Sequence, residues 1–187
     1  VAETSEGTFL GRTVILATGA HPRKLGIPQE DGLVNRGVAY CATCDGSFYK
    51  DKVVAVNGGG NTAVGDALYL AKLASKVYLV HRRDTLRATP IYLQRLKDAG
   101  VEIIWNSVVS GLQADKKLTG VELTDVKTGE KRVRPADGLF VAIGQLPESS
   151  LAAGQVATDK AGYILAGEDT KTSVPGVFAV GDVRTKA

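Results

Sequence analysis

A short apolar stretch that runs directly into three glycines constrains the fold of this chain most. Residues 53–56 are Val-Val-Ala-Val, which is typical of a buried parallel strand, and glycines occupy positions 58–60. Apolar residues at helical spacing follow within 64–73, and further strand-like stretches lie at 77–80 and 101–104. Strands and helices that alternate with short loops predict a parallel, right-handed, doubly wound unit.

The rest of the pattern adds one helix and a second kind of sheet. We expect a helix to begin at Pro90 and to end at a cap formed by Gly100. Alternating polar and apolar residues at 107–134 predict a small antiparallel meander. A buried strand is expected again at 139–143, and residues 144–147 are a candidate linker. The predicted fold class is α/β, a doubly wound Rossmann-like domain with a parallel sheet and a meander.

The glycines after the first strand match the dinucleotide-binding fingerprint G-x-G-x-x-G/A at Gly58, Gly60 and Ala63. The first glycine permits a tight turn, the second lets the backbone approach a pyrophosphate, and the small third residue lets helix and strand pack closely. The N-terminus of the helix that follows offers free N–H groups and a partial positive charge to phosphates. A plain glycine turn is the alternative, but the strand before it and the helix after it favour dinucleotide binding.

Basic residues follow the second strand, at the place where a carboxylate would hold an unmodified ribose. His81, Arg82 and Arg83 occupy this place, and Arg87 lies one turn later. Arginines bind a 2′-phosphate through charge-assisted, often bidentate contacts, so NADPH is favoured over NADH. The alternatives are a solvated basic loop and an ordinary ion pair between Asp84 and one arginine.

Both cysteines of the chain lie in one Cys-x-x-Cys turn, as Cys41 and Cys44, and Asp45 follows directly. Two thiols at this spacing can close and open a small disulfide ring, and the neighbouring acid can exchange the proton involved. A structural disulfide across so short a loop would stabilise only weakly. A zinc site would need two more ligands, and His21 and His81 lack the paired spacing of a zinc module. Redox chemistry is therefore favoured over a metal site or inert thiols.

Composition argues against several classes of function. The chain has 187 residues and a formal net charge of +3, too small to argue for a nucleic-acid or membrane partner. No apolar run reaches the roughly 20 residues of a membrane span, and no signal peptide is recognisable, so a cytoplasmic location is expected. The chain contains no methionine, and the buried strand expected at 13–19 has no preceding partner. We therefore expect a piece of a longer protein.

The combination of these motifs is more specific than any one of them. Cys-Ala-Thr-Cys-Asp-Gly at 41–46 precedes Gly-Gly-Gly-Asn-Thr-Ala at 58–63 and His-Arg-Arg-Asp at 81–84. Ala-Thr-Gly at 17–19 and Pro-Gly-Val-Phe-Ala-Val-Gly-Asp at 175–182 flank them. Essentially from end to end, the chain resembles the low-molecular-weight bacterial thioredoxin reductases.

This resemblance implies an FAD domain that is interrupted by a smaller NADPH domain with the redox disulfide. We expect partial FAD-domain segments at 1–24 and 148–187 and the NADPH domain at 25–147. The implied activity is that of a thioredoxin-disulfide reductase, in which electrons pass from NADPH to FAD, to Cys41–Cys44 and to thioredoxin. A homodimeric full-length enzyme is also implied. The FAD site is expected to be incomplete, so the isolated chain should bind NADPH without retaining FAD tightly.

The resemblance also implies roles for individual residues. Cys44 would lie nearest the flavin, Cys41 would attack the disulfide of thioredoxin, and Asp45 would act as general acid and base. Phe48 would face thioredoxin. The residues implied in NADPH binding are Gly58, Gly60, Asn61, Thr62, Ala63, His81, Arg82, Arg83 and Arg87, and those implied in FAD binding are Thr18, Gly19, Gly181 and Asp182.

Three positions depart from the family pattern. Gly65 and Asp66 stand where the family often has two glutamates, and Glu148 stands where asparagine is common. A glycine inside a helix costs up to about 1 kcal/mol relative to alanine.

Two alternative functions remain open. One is a related flavoprotein reductase that serves a peroxiredoxin, against which the Ala-Thr between the cysteines and the His-Arg-Arg run argue. The other is a non-catalytic, NADPH-binding redox module, which would account for the flavin-binding elements that the sequence does not contain.

Overall fold

The computed structural model describes residues 1–88 and 91–185. Pro90, the expected first residue of a helix, lies outside these ranges. The chain divides into two compact units, which we call the split unit (Val1–His21 with Gln145–Ala187) and the central unit (Pro22–Gly144). Within the described ranges, no helix is both long and apolar enough to cross a membrane.

The elements of the described residues are mostly short. The strands are β1 (Ala2–Thr4), β2 (Gly7–Phe9), β3 (Val14–Leu16), β4 (Ala20–Pro22), β5 (Val38–Ala39), β6 (Val53–Gly58), β7 (Lys76–Val80), β8 (Glu102–Ile104), β9 (Ser107–Ala114), β10 (Leu118–Asp125), β11 (Lys131–Pro135), β12 (Gly138–Ala142), β13 (Gln145–Pro147) and β14 (Val177–Ala179). The α-helices are α1 (Ala42–Asp45), α2 (Asn61–Leu70) and α3 (Ile91–Asp98), and 3-10 helices span Asp31–Leu33, Gly46–Tyr49, Ser150–Ala152 and Gly181–Val183.

A parallel five-stranded sheet forms the core of the central unit, with the strand order β5-β12-β6-β7-β8. The middle strand, β6, pairs in parallel with β12 on one side and β7 on the other. Val54, Ala55 and Val56 on β6 are fully buried, because this sheet is covered on both faces. The predicted α/β fold class is confirmed. In such a sheet the carboxyl ends of the strands share one edge, where ligands bind.

The two faces of this sheet are covered by different structures. Val54, Val56 and Phe140 face α2 and α3 and belong to one core cluster with them. Ala55 and Leu139 point the other way and pack against apolar residues of β9 and β10. Strands β9, β10 and β11 form an antiparallel sheet in the order β11-β10-β9, as predicted for this stretch. The central unit therefore has three layers: helices, parallel sheet and meander.

Strand β3 of the split unit is less buried than its sequence predicts. It pairs in parallel with β14, and Leu16 packs into a small core that contains Ile164. Val14 and Ile15, however, are 41% and 65% exposed. The expectation of a wholly buried strand is wrong for these two residues, because within the described part of the chain the small core covers β3 only at Leu16.

Gly65 offers a direct test of helix propensity in α2. It is exposed, and a Cβ atom added there would meet no atom within 4 Å. Gly65→Ala should raise the free energy of unfolding by about 0.5–1 kcal/mol, because alanine loses less backbone entropy than glycine on entering a helix. Thermal denaturation followed by circular dichroism measures the change, with a midpoint shift of about 2–4 °C per kcal/mol.

Gly58→Ala is the matched control for this substitution. Its Cβ atom would lie 2.4 Å from the carbonyl oxygen of Ala142 and 2.6 Å from the Cβ atom of Ala63. The control should therefore lower the midpoint. An unchanged or lower midpoint for Gly65→Ala would contradict the prediction.

Candidate functional site

The two cysteines are joined in a disulfide at the start of α1. Cys41 caps the N-terminus of this helix and Cys44 lies within it, so one helical turn brings their Cα atoms to 5.3 Å. The backbone N–H of Cys44 donates to Sγ of Cys41 at 3.2 Å, and Oγ1 of Thr43 lies 3.4 Å from the same sulfur. After reduction these two groups can donate to a thiolate at Cys41, which favours ionisation of that thiol.

The surface beside the disulfide combines an acid with two aromatic rings. Asp45 is half-buried and ends α1, directly after the exposed Cys44. Burial raises the pKa of Tyr49, and the nearby charge of Asp45 adds to this effect. Asp45, Tyr49 and Phe48 line one cavity of about 380 Å³, and the Phe48 ring is 73% exposed. The structure therefore brings the predicted Asp45 and Phe48 to one surface next to Cys44.

Glu30 is a buried carboxylate that supports the site, and the sequence patterns do not point to it. It is 2% exposed, and its carboxylate accepts hydrogen bonds from the backbone N–H groups of Leu25 and Gly26, each at 2.9 Å. The hydroxyl of Tyr40 donates to it at 2.7 Å. Burial and this hydrogen bond raise the pKa of Tyr40. Because Tyr40 precedes Cys41, Glu30 ties the beginning of the central unit to the segment that carries the disulfide.

The glycine loop is shaped by contacts beneath it. Gly58 ends β6, and the tight approach of Ala63 and Ala142 leaves no room there for a side chain. Gly60 caps α2 with an extended backbone, and a Cβ atom at this position would meet open space. Its open side leaves room for a ligand to reach the backbone, as the fingerprint requires. This arrangement fits a bound dinucleotide.

His81 occupies the space beside the middle glycine. A Cβ atom on Gly59 would lie 2.2 Å from the His81 ring, so this histidine needs glycine at that position. Nε2 of His81 lies 3.0 Å from the carbonyl oxygen of Thr85, and the ring meets Trp105 edge-on at 6.3 Å between centroids. Burial lowers the pKa of His81. The fingerprint does not assign Gly59 a role, since it treats this position as variable.

A cleft of about 550 Å³ opens along the carboxyl edge of the parallel sheet. Four of the residues predicted to bind NADPH line it: Gly58, His81, Arg82 and Arg87. The backbone N–H of Arg87 donates to the carbonyl of Gly59 at 2.8 Å, which holds the arginine loop against the glycine loop. The remaining lining residues are Arg23, Leu25, Asn57, Gly59, Val80, Val108, Val109, Ala142 and Ile143.

The other five residues predicted to bind NADPH, Gly60 among them, lie outside the lining of the cleft. Asn61 and Thr62 are exposed in the first turn of α2, whereas Ala63 is fully buried against Gly58. Arg83 is exposed. Asp84, which could have paired with an arginine, lies 3.5 Å from Nζ of Lys127 instead. Both partners of that pair are exposed, so it contributes little to stability.

The residues predicted to bind FAD all lie in the split unit. Oγ1 of Thr18 donates to the carbonyl of Glu148, whose own N–H donates to the carbonyl of Gly19 at 2.9 Å. Glu148 makes both contacts through its backbone, so they do not depend on its departure from the family pattern. Gly181 has a φ of +72° and open space at its Cβ position, and Asp182 lines a cleft of about 320 Å³.

The lowered pKa of His81 predicts a pH dependence of stability. Its ordinary value is 6.5, so the unfolded chain takes up the proton first as the pH falls below this value. The free energy of unfolding should therefore decrease between about pH 7 and pH 5, by at most about 1.4 kcal/mol per pH unit. His81→Gln should remove this part of the dependence. Urea unfolding across the range measures both proteins, and equal slopes would contradict the assignment.

The chain matches known proteins along its whole length. A family model described as pyridine nucleotide-disulphide oxidoreductase matches residues 1–187. The thioredoxin reductase of Streptomyces coelicolor is 45% identical over 185 residues, which are 98% of this chain and 58% of that protein. The thioredoxin reductase of Listeria monocytogenes is 45% identical over 182 residues, 96% of this chain and 57% of that protein. The chain thus spans less than two thirds of the length of these curated relatives.

Solved structures agree with this match. The crystal structure of Lactococcus lactis thioredoxin reductase superposes with a TM-score of 0.84 at 43% identity, over 94% of this chain and 58% of that one. The thioredoxin reductase of T. acidophilum gives a TM-score of 0.85 at 34% identity, over 98% and 61% of the two chains. The resemblance predicted from the sequence is confirmed. This chain belongs to the pyridine nucleotide-disulphide oxidoreductase family.

Proposed function

We propose that this chain is the part of a thioredoxin-disulfide reductase that binds NADPH and carries the redox-active disulfide. The observation that carries this proposal is the presence of a closed Cys41–Cys44 disulfide and an arginine-lined cleft in one compact unit. The names of its relatives support the activity. The bounds of the central unit support an NADPH domain at about 25–147, between FAD-domain segments at 1–24 and 148–187.

NADPH would bind along the cleft at the carboxyl edge of the sheet. The open side of Gly60 and the N–H groups at the start of α2 would hold the pyrophosphate. Arg82 and Arg87 line the cleft and would hold the 2′-phosphate, and the exposed Arg83 would add its charge. His81 would support the loop from below rather than contact the phosphate, because its ring is buried against Gly59.

FAD would be held in the parent protein partly by the split unit. The open backbone at Gly181 supports a close approach of a ligand, and Asp182 lies in the wall of a cleft in the same unit. Thr18 and Gly19 would shape the neighbouring loop through their hydrogen bonds to Glu148. When both cofactors are bound, NADPH supplies a hydride and FAD carries the two electrons on to a disulfide.

The reduced cysteines would transfer electrons to a protein disulfide in two exchange steps. The thiolate of Cys41 attacks one sulfur of the partner, so that a mixed disulfide forms and the partner's other sulfur leaves as a thiolate. The thiolate of Cys44 then attacks the sulfur of Cys41, which restores the Cys41–Cys44 bond and releases the partner's second thiol. Two electrons and two protons pass to the partner. Asp45, next to Cys44 in the chain, would accept the proton of the Cys44 thiol and pass it to a departing thiolate of the partner, and solvent supplies the second proton, which Cys41 lost when it ionised.

The surface around Phe48 supports a protein as the electron acceptor. Phe48 is a large, exposed apolar side chain beside the disulfide. Phe48 also lines a groove of about 660 Å³, whose charged lining residues are one acid, Asp137, and four bases, Arg36, Lys52, Lys116 and Lys117. An aromatic anchor with a basic rim suits a partner whose disulfide is surrounded by apolar and acidic residues. Thioredoxin is the proposed partner, and a homodimeric parent enzyme in the cytoplasm stays a prediction from the sequence.

Coenzyme selectivity tests the nucleotide site. Arg82→Gln with Arg83→Gln should raise the Kd for NADPH at least about tenfold, because charge-assisted hydrogen bonds to the 2′-phosphate are lost. The Kd for NADH should change by less than about twofold, since NADH lacks that phosphate. Isothermal titration gives both constants. Arg12→Gln removes an exposed arginine of the split unit and is the charge control. Equal losses for the two coenzymes would contradict the assignment.

A covalent trap tests which cysteine attacks the partner. The partner is a thioredoxin that retains one cysteine, loaded with thionitrobenzoate as a leaving group. Cys44→Ser should release the yellow thiolate at least about tenfold faster than Cys41→Ser, because N–H and O–H donors stabilise the thiolate of Cys41. Cys44 is the more exposed cysteine, so a purely steric preference would give the opposite order. Replacement of both cysteines is the control and should form no adduct.

A further inference from the structure

Arg23 is a third arginine in the nucleotide cleft, and neither the glycine fingerprint nor the His-Arg-Arg run accounts for it. It lies near the beginning of the central unit and is exposed, and it lines the cleft together with Arg82 and Arg87. Among the described residues, no carboxylate forms an ion pair with it, whereas its neighbour Lys24 pairs with Asp31 at 2.6 Å. The charge of Arg23 is therefore available to a ligand.

The strand order locates Arg23 on the opposite side of the cleft from Arg82. Arg82 follows β7, the glycine loop follows β6, and Ile143 and Gly144 follow β12, in the spatial order β7-β6-β12. The backbone N–H of Arg23 donates to the carbonyl of Gly144 at 2.9 Å, so the side chain of Arg23 starts from the β12 side of the cleft. Strands β7 and β12 are two strand spacings apart, or about 10 Å.

A dinucleotide that spans this cleft must reach from one side to the other. Its 2′-phosphate would lie at Arg82 and its pyrophosphate at the glycine loop, so the remaining half of the molecule extends toward β12. That half carries the nicotinamide ribose and the second phosphate of the pyrophosphate. A guanidinium group binds phosphate oxygens and ribose hydroxyls through several N–H donors at once.

We propose that Arg23 binds the nicotinamide mononucleotide half of NADPH, through its phosphate or its ribose. This inference rests on the proposed function of the cleft. Arg23 thereby differs in role from Arg82 and Arg87, which hold the adenosine half. It also means that the nucleotide contacts a residue immediately next to the point where the chain enters the central unit.

Two ligands that differ only in the nicotinamide half test the proposal. Adenosine 2′,5′-bisphosphate keeps the 2′-phosphate and the adenosine of NADP⁺ but lacks that half. Arg23→Gln should raise the Kd for NADP⁺ about tenfold, because a charge-assisted contact is lost. The same substitution should change the Kd for the bisphosphate by less than about twofold, because the bisphosphate lacks the half that Arg23 binds. Arg82→Gln should weaken both ligands. Isothermal titration of the unaltered 187-residue chain and of the two variants measures both constants for each protein.

The controls separate this inference from the proposed function. Lys24→Gln removes a neighbouring charge that is already paired and should leave both constants unchanged. Arg23→Lys should recover part of the NADP⁺ affinity, and equal melting temperatures exclude unfolding as the cause of any loss. If Arg23→Gln weakens both ligands equally, or neither, the inference is wrong while the nucleotide site stands. If the unaltered chain binds neither ligand, the proposed function fails as well.

Discussion

The carboxyl edge of the parallel sheet, where the cleft opens, depends on the absence of a side chain at Gly58. A Cβ atom there would lie 2.4 Å from the backbone oxygen of Ala142 and 2.6 Å from Ala63, so any larger residue would push β12 and α2 away from β6. A backbone atom in a packed sheet cannot move aside as the end of a flexible side chain can, so this contact excludes any residue other than glycine at position 58. Gly59 is constrained by a side chain instead, the buried His81 ring, which a Cβ atom would approach to 2.2 Å. These two contacts fix the loop from below and leave Gly60 open to a ligand.

A single buried carboxylate connects the two chemically active parts of the central unit. Glu30 accepts from the backbone N–H of Leu25, which lines the cleft proposed to bind NADPH, and from the hydroxyl of Tyr40, which precedes the disulfide. A buried carboxylate is tolerated only where donors compensate the water that it has lost, and here three donors do so. The position of Cys41 relative to the cleft therefore depends on electrostatic pairing as well as on apolar packing.

Strands, turns and helices that depend on consecutive residues could be predicted from the sequence. Contacts between residues far apart in the chain could not. Strand β6, the glycine turn and the start of α2 follow from consecutive residues, and the meander follows from the alternation within 107–134. No sequence pattern indicates that the meander, rather than helices, covers one face of the sheet. The His81 ring leaves room only for glycine at position 59, and Glu30 is buried. Both features arise from tertiary contacts. The exposure of Ile15 depends on which residues pack over its strand, and the apolar sequence of the strand does not reveal that.

The hydrogen bond between Arg23 and Gly144 has an evolutionary consequence. It joins residues next to the two ends of the central unit, so the polypeptide enters and leaves this unit at neighbouring points. A module with adjacent ends can be inserted into a host loop without pulling that loop apart, which is the usual geometry of tolerated domain insertions. The central unit therefore has the adjacent ends of an insertable domain. Its boundary at this hydrogen bond is the position at which it could be joined to another scaffold.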